Sequence, residues 1–183
     1  MDSMQKRLYD VEPALGYPME YGLLVSTLQD GTREWRDELG EVSEEGIVWQ
    51  QFKNGHSIGA VILHMIDVEA FWIETAALGR DRAPEELKEL LSAEIDQDAF
   101  HWVVPPKRPL SYYLDYQDKI RQRTLESIKF FPDPATVISK DGWSSDMTVR
   151  WILNHVVAHE AYHGGQVVML KAMYDKARAQ ETT

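Results

Sequence analysis

Residues 149–177 read VRWILNHVVAHEAYHGGQVVMLKAMYDKA, and this stretch carries the clearest periodic pattern in the chain. Side chains predicted to share one face recur there at alternating steps of four and three: Ile152, Val156, His159, His163, Gln166, Leu170 and Met173. Such a stripe, called the seam below, is typical of a helix that packs one face against other helices in a bundle. The stretch therefore predicts a long helix that begins near Asp146 or Thr148 and ends near Ala177.

Three further segments upstream have helical periodicity. The first begins after Pro18, a residue that suits the first turn of a helix. The second follows Ser57, which can cap a helix N-terminus, and ends at Gly79, which can stop one. The third spans about residues 111–128 and ends before the breaker 131–134, which contains two prolines.

Two shorter segments complete the predicted architecture. An amphipathic helix is expected from Ala83 to about Phe100, and Thr136 to Asp146 is the only strand or loop candidate. Four long helices with medium connections predict an all-α fold. We expect an up-and-down-type four-helix bundle with a short extra helix and longer connections, as a single domain over residues 1–183.

Composition excludes several classes of function. The 183 residues include no cysteine, so any metal must be held by His, Asp or Glu. A net charge of −11, from 19 basic and 30 acidic residues, argues against nucleic acid as a partner. No run approaches the roughly 20 apolar residues of a membrane span, and residues 1–7 lack the apolar run of a signal peptide. We therefore expect a cytoplasmic protein that binds a small molecule and no membrane.

The histidines of the seam predict a metal site. His159 and His163 lie four residues apart, so on a helix they point the same way, and burying two imidazoles is costly unless their nitrogens are bonded. The second helix places His64 in its own apolar stripe, so three imidazoles converge if the two helices are neighbours. Three protein ligands that leave one position open are typical of catalytic zinc-type sites. The alternative stays open that each is a core histidine bonded to a carbonyl or to water.

The other histidines are expected to play lesser parts. His155 lies on the flank of the seam and is expected to pack beside the metal ligands. His56 and His101 are expected to be solvated or to line the mouth of the site.

The segment from His159 to His163 also matches H-E-x-x-H, the pattern of zinc metalloproteases. The longer form of that pattern fails, because Met169 occupies the position of its third ligand. The only downstream glutamate, Glu181, lies two residues from the end of the sequence. The chain also lacks the sheet-edge strands of a peptidase cleft. A metallohydrolase is kept as a further alternative.

Two runs of sequence resemble the DinB-like (DinB/YfiT) superfamily of bacterial four-helix-bundle metalloproteins. Residues 56–64, HSIGAVILH, are similar to the family's S-I-G-x-x-x-x-H start of the second helix. Residues 155–166, HVVAHEAYHGGQ, are similar to its H-x-x-x-H-E-x-x-H-x-G-Q run. The resemblance implies that His64, His159 and His163 bind a divalent metal such as Zn or Ni, and that the protein forms a homodimer.

The resemblance also implies a thiol-dependent activity. Family members transfer sulfur from low-molecular-weight thiols such as bacillithiol, or isomerise substrates with mycothiol. A metal-dependent thiol S-transferase acting on small molecules is therefore expected. A non-enzymatic metal-binding or stress-related protein is the alternative, and a fourth protein ligand such as His155 or Glu69 would favour it. Gly164 departs from the family pattern, because a basic residue is common there, and this puts a contact with an anionic thiol at that position in doubt.

Other residues near the predicted site have two interpretations each. Glu160 and Gln166 are candidates for catalysis or for orienting the metal ligands, although Glu160 is equally expected as an exposed or capping carboxylate. Trp72, Trp151 and Tyr162 are expected to wall a pocket or to belong to the core.

Overall fold

The structure is a computed structural model that describes residues 10–96 and 101–181. Its α-helices are α1 (Met19–Leu39), α2 (Glu44–Val48), α3 (Ile58–Ala70), α4 (Pro84–Leu90), α5 (Leu110–Ile128) and α6 (Val149–Glu181). A π-helix (Phe71–Ala77) continues α3, and a 3-10 turn (Leu91–Ala93) follows α4. The short strands form two antiparallel pairs. Strand β1 (Glu94–Asp96) pairs with β2 (His101–Trp102), and β3 (Val137–Ile138) pairs with β4 (Met147–Thr148).

The four long helices form a bundle, which confirms the predicted all-α fold. Helix α6 packs against α1 and α3, and α3 packs against α5. A hydrogen bond of 2.7 Å from Arg36 on α1 to Gln117 on α5 links the remaining pair of helices. In the part of the chain that the structure describes, no helix is both long and apolar enough to cross a membrane.

Most predicted boundaries of the long helices are confirmed. Helix α1 begins directly after Pro18, and Ser57 caps α3 by accepting a hydrogen bond of 3.4 Å from the backbone N–H of Ala60. Gly79 takes a φ of +66° just beyond the π-helix, a conformation that glycine adopts without strain. Helix α6 continues past Ala177 to Glu181.

The structure differs from the predictions about the connections and stripes at three places. The helix expected from Ala83 to Phe100 ends at Leu90 and gives way to β1, so Thr136–Asp146 is not the only region with a strand; Phe100 itself lies outside the described residues. Helix α2 was not predicted. Helix α3 is buried on all sides from Ile58 to Ile66 rather than along one stripe.

The burial of Trp102 explains why the chain leaves the helical path after Leu90. Its side chain is 2 % exposed and packs with Ala60 and Ala93. Its backbone N–H donates to the carbonyl of Asn54 at 3.0 Å, next to the start of α3. These non-local contacts outweigh the local helical preference of residues 91–96.

Most of the described core belongs to two apolar clusters that are separated by a polar layer. One cluster gathers Tyr21, Val25 and Leu28 of α1 with the first turns of α6, and the other gathers Trp35 and Leu39 of α1 with α3 and α5. Between them, at mid-height of the bundle, lie polar side chains from all four long helices: Thr32, Glu69, Arg121 and Glu160.

The π-helix after α3 sets the direction of the side chains that it carries. A π-turn accommodates an extra residue in a helix and often occurs beside functional sites. Here it leaves Trp72 against His155, with ring centres 5.0 Å apart, while Glu74 turns inward to Arg123.

Candidate metal centre

His64 on α3 and His159 and His163 on α6 converge in the bundle. The Nε2 atoms of His64 and His159 are 3.2 Å apart, and one nitrogen from each of the three rings lies within 4.8 Å of the other two. Two nitrogens bound to one tetrahedral zinc at about 2.0–2.1 Å are about 3.3 Å apart. The spacing of His64 and His159 therefore fits a shared ion, and the three residues together can hold one.

The environment keeps His159 in the form that binds metals. Burial, together with the neighbouring His163 and His64, lowers the pKa of His159 to about 3. The ring is therefore neutral at physiological pH. A neutral imidazole has the lone pair that a metal ligand needs.

Gln166 orients His163 through its side chain. The Oε1 atom of Gln166 lies 2.7 Å from Nδ1 of His163. Because an amide oxygen only accepts hydrogen bonds, Nδ1 carries the proton in the neutral form of the ring, which leaves the lone pair on Nε2. Hydrogen bonds of this kind fix the tautomer of metal-binding histidines.

Aromatic rings line one side of the histidine cluster. His155 stacks on Trp151 with ring centres 5.0 Å apart and planes 13° from parallel, and it also meets Trp72 edge-on. Its ring centre is 5.8 Å from that of His159, and burial lowers its pKa. His155 therefore packs beside the cluster, as predicted, and Trp72 and Trp151 form a wall there.

Trp102 lies against His64, at another side of the cluster, and was missed by the sequence analysis. Its ring meets His64 edge-on at 5.5 Å and lies 4.6 Å from His56. His56 therefore lies at the edge of the site, as expected. His101 is half-buried in β2. Trp102 follows the predicted end of the amphipathic helix at Phe100 and belongs to no predicted apolar stripe, so no local pattern indicated that it would contact α3.

Glu160 points away from the histidines into the polar layer. It is 5 % exposed and accepts hydrogen bonds from four side chains on α1 and α5: Thr32, Trp35, Gln117 and Arg121. The interpretation of Glu160 as an exposed or capping carboxylate is therefore wrong. A general base beside a metal must reach the bound water, and these bonds hold this carboxylate elsewhere.

Arg121 is the centre of the polar layer and was not predicted. Its guanidinium donates to both carboxylate oxygens of Glu69, at 2.8 and 2.9 Å, and also to Glu160. Burial alone would lower the pKa of Arg121, but the two carboxylates more than offset that effect and raise it. An arginine within the apolar stripe of α5, beside Gln117 and Thr124, was the available signal.

Among residues 10–93 and 101–181, whose side chains the structure describes, no fourth protein ligand joins the three histidines. Glu69, which could have supplied one from the same helix as His64, is bound by Arg121. The arrangement therefore has the three-ligand form that leaves a metal position for water or substrate.

Gly164 faces helix α1 rather than the site. A Cβ atom at this position would lie 2.7 Å from the ring of Trp35, so a side chain here would force α1 and α6 apart. This close approach explains why a basic residue is absent from the position.

Known proteins resemble this chain in sequence and in fold. A family model described as MST, mycothiol-S-transferase, matches residues 23–176. A solved structure, described as a conserved protein from Enterococcus faecalis, is similar with a TM-score of 0.63 and 16 % identity, covering 81 % of this chain and 93 % of that one. At that identity it supports the fold alone. No curated protein matches the sequence significantly.

Proposed function

The chain belongs to the mycothiol-S-transferase family, within the DinB-like superfamily, and on that premise we propose that it is a metal-dependent thiol S-transferase acting on a small electrophile. The observation that carries the proposal is the cluster of His64, His159 and His163, which brings one nitrogen from each of three imidazole rings within 4.8 Å of one another. Zn or Ni is the proposed metal, because both accept imidazole ligands.

The ligand set suits activation of a thiol. Three neutral imidazoles leave a divalent ion with its full charge, and such an ion lowers the pKa of a thiol that binds to it. The chain has no cysteine, so the thiol must be a diffusible molecule. His64, His159 and His163 would hold the ion, and Gln166 would keep the proton of the neutral His163 ring on Nδ1, which leaves the lone pair on Nε2.

The proposed reaction is a nucleophilic substitution at carbon. The thiol loses its proton to solvent, and its sulfur forms a bond to the electrophilic carbon. The bond from that carbon to the leaving group breaks, and the leaving group departs with the electron pair. No oxidant or reductant is needed.

Two alternatives make different predictions about the same residues. A metallohydrolase needs Glu160 at the metal, and its four hydrogen bonds in the polar layer argue against that role. A non-enzymatic metal-binding protein would be favoured by a fourth protein ligand, and the three-histidine cluster argues for the enzyme instead.

The experiment is a conjugation assay that combines metal, thiol and electrophile. The protein is stripped of metal, reloaded with Zn or Ni, and tested with several low-molecular-weight thiols. We expect turnover only with metal and thiol together, a loss of at least 100-fold in His64→Ala, and a much smaller loss in His155→Ala. Turnover that is equal with and without metal would contradict the proposal, as would peptide hydrolysis that needs no thiol.

A further inference from the structure

A cleft of about 380 Å³ lies beside the histidine cluster and contains none of the three proposed metal ligands. It runs between α6 and the loop that precedes α3. Its walls carry Phe52 and His56 from the loop and Gln166, Met169, Leu170 and Met173 from α6.

Large apolar side chains remain exposed around this cleft. Phe52 is 63 % exposed, Met169 is 57 % exposed and Tyr162 is 65 % exposed. Contiguous apolar surface of this kind in a soluble protein marks a site of interaction. The concave shape and the volume suit one small molecule rather than a protein partner.

The cleft adjoins the proposed metal ligands at two places. Gln166 lines it and is the side chain bonded to His163, and the ring of Tyr162 meets His163 edge-on at 4.9 Å. His56 lines it and packs on Trp102, which contacts His64. A molecule in the cleft would therefore lie beside the residues that contact two of the three histidines.

The residues that line the cleft favour uncharged ligands over charged ones. No Lys, Arg, Asp or Glu lines the cleft among the described residues. Met169 and Met173 have flexible, polarizable side chains that adapt to ligands of different shape. The amides of Gln51 and Gln166 can each orient one polar group. These features fit an uncharged and mainly apolar ligand.

We infer that this cleft binds the uncharged, apolar body of the electrophilic substrate, with its reactive carbon directed at the histidine cluster. The inference rests on the proposed function for the identity of the ligand. The location of the binding site and its preference for uncharged molecules are independent of catalysis and can be tested without it.

Gly165 offers a way to fill the cleft without touching the metal ligands. It lines the cleft, and a Cβ atom there would meet no heavy atom within 4 Å. Gly31 on α1 is equally open and lies outside the cleft, so Gly31→Leu is the matched control for Gly165→Leu.

The first measurement is a fluorescence titration with Nile red, an uncharged apolar dye, on metal-loaded protein without thiol. We expect Gly165→Leu to weaken binding at least tenfold and Gly31→Leu to bind like the unmodified protein, with equal metal content in all three. Unchanged affinity in Gly165→Leu would overturn the inference, as would an absence of binding to the unmodified protein.

The second measurement compares benzyl chloride with 4-(chloromethyl)benzoate, which differs by one anionic carboxylate. We expect the KM for the anionic compound to be at least tenfold higher, and Met169→Lys to narrow or reverse that ratio. Equal KM values in the unmodified protein would overturn the inference. If neither compound reacts while Gly165→Leu still loses the dye, the proposed transferase activity fails and the binding site is supported.

Discussion

Two polar clusters inside the bundle share one turn of α6, yet they are built on opposite principles. Glu160 belongs to a cluster in which Arg121 lies between two carboxylates and donates hydrogen bonds to both. His159, the preceding residue, belongs to a cluster in which like groups face one another, with two Nε2 atoms 3.2 Å apart.

The difference separates structural polar groups from ligand-binding ones. Buried charges that pair with each other hold helices in one arrangement, and removing one partner leaves the other uncompensated. Neutral imidazoles that converge without a carboxylate gain more from a shared cation than from one another. The first cluster should therefore govern the stability of the fold, and the second should govern the response to metal.

The largest expected effect comes from breaking the first cluster. Arg121→Met leaves Glu69 and Glu160 buried without their cation, so we expect a loss of about 3–5 kcal/mol in the free energy of unfolding. Urea denaturation measures this. The control is Arg33→Ala, whose exposed ion pairs on α1 should contribute little to the free energy of unfolding. Similar losses in the two variants would remove the distinction between the clusters.

Breaking the second cluster should abolish the stabilisation by metal. At a zinc concentration about 100 times the Kd, bound metal raises the free energy of unfolding by about 2.7 kcal/mol. We expect His159→Ala to bind far less than one equivalent of zinc and to lose this increase, while His101→Ala keeps both. Equal metal content in the two variants, measured by elemental analysis, would show that the cluster is not the site.

Glu160→Gln tests whether the two clusters are independent. The amide keeps the shape of the carboxylate but weakens the bond to Arg121, so we expect a loss of about 1–3 kcal/mol in the free energy of unfolding. Zinc content should stay stoichiometric and thiol transfer should persist. A complete loss of activity with metal still bound would instead support a catalytic carboxylate.

The smallest effect is a pH dependence in the metal-free protein. Because the pKa of His159 is lowered to about 3, the unfolded chain binds a proton near pH 6.5 that the folded protein does not. The contribution of His159 to stability is therefore fully present above about pH 6.5 and is lost as the pH falls toward about 3.

The size of that dependence is bounded by a single proton. Through His159, the free energy of unfolding cannot change by more than about 1.4 kcal/mol per pH unit, and the partial exposure of the ring makes the change smaller. Thermal unfolding between about pH 7.5 and 5 should show a shallower decline in Tm for His159→Ala than for His101→Ala. Identical declines would mean that His159 titrates normally.

The two clusters also differ in how well the sequence predicted them. The histidine cluster could be predicted from local sequence, because His159 and His163 are four residues apart and therefore lie on one face of any helix that contains them. The partner His64 needed only the assumption that α3 and α6 are neighbours. The polar layer depends on which side chains of α1 and α5 reach Glu160, and spacing within one helix does not encode that.

The same distinction applies to the fold. The long helices were predicted because each has its own periodicity and end signals, such as Ser57 and Gly79. The strands β1 and β2 were missed because the burial of Trp102 against α3 decides them, and that contact is remote in sequence.

The π-helix at Phe71–Ala77 forms the C-terminal end of the second long helix, so the direction of its side chains can evolve separately from that of α3. One residue of a helix corresponds to about 100° of rotation, so a change of length within the π-helix would turn only the residues on its C-terminal side. His64 lies before the π-helix, and Glu74 lies within it. The gain or loss of one residue there during evolution would therefore turn Glu74 and the chain beyond it. The histidine cluster would keep its position.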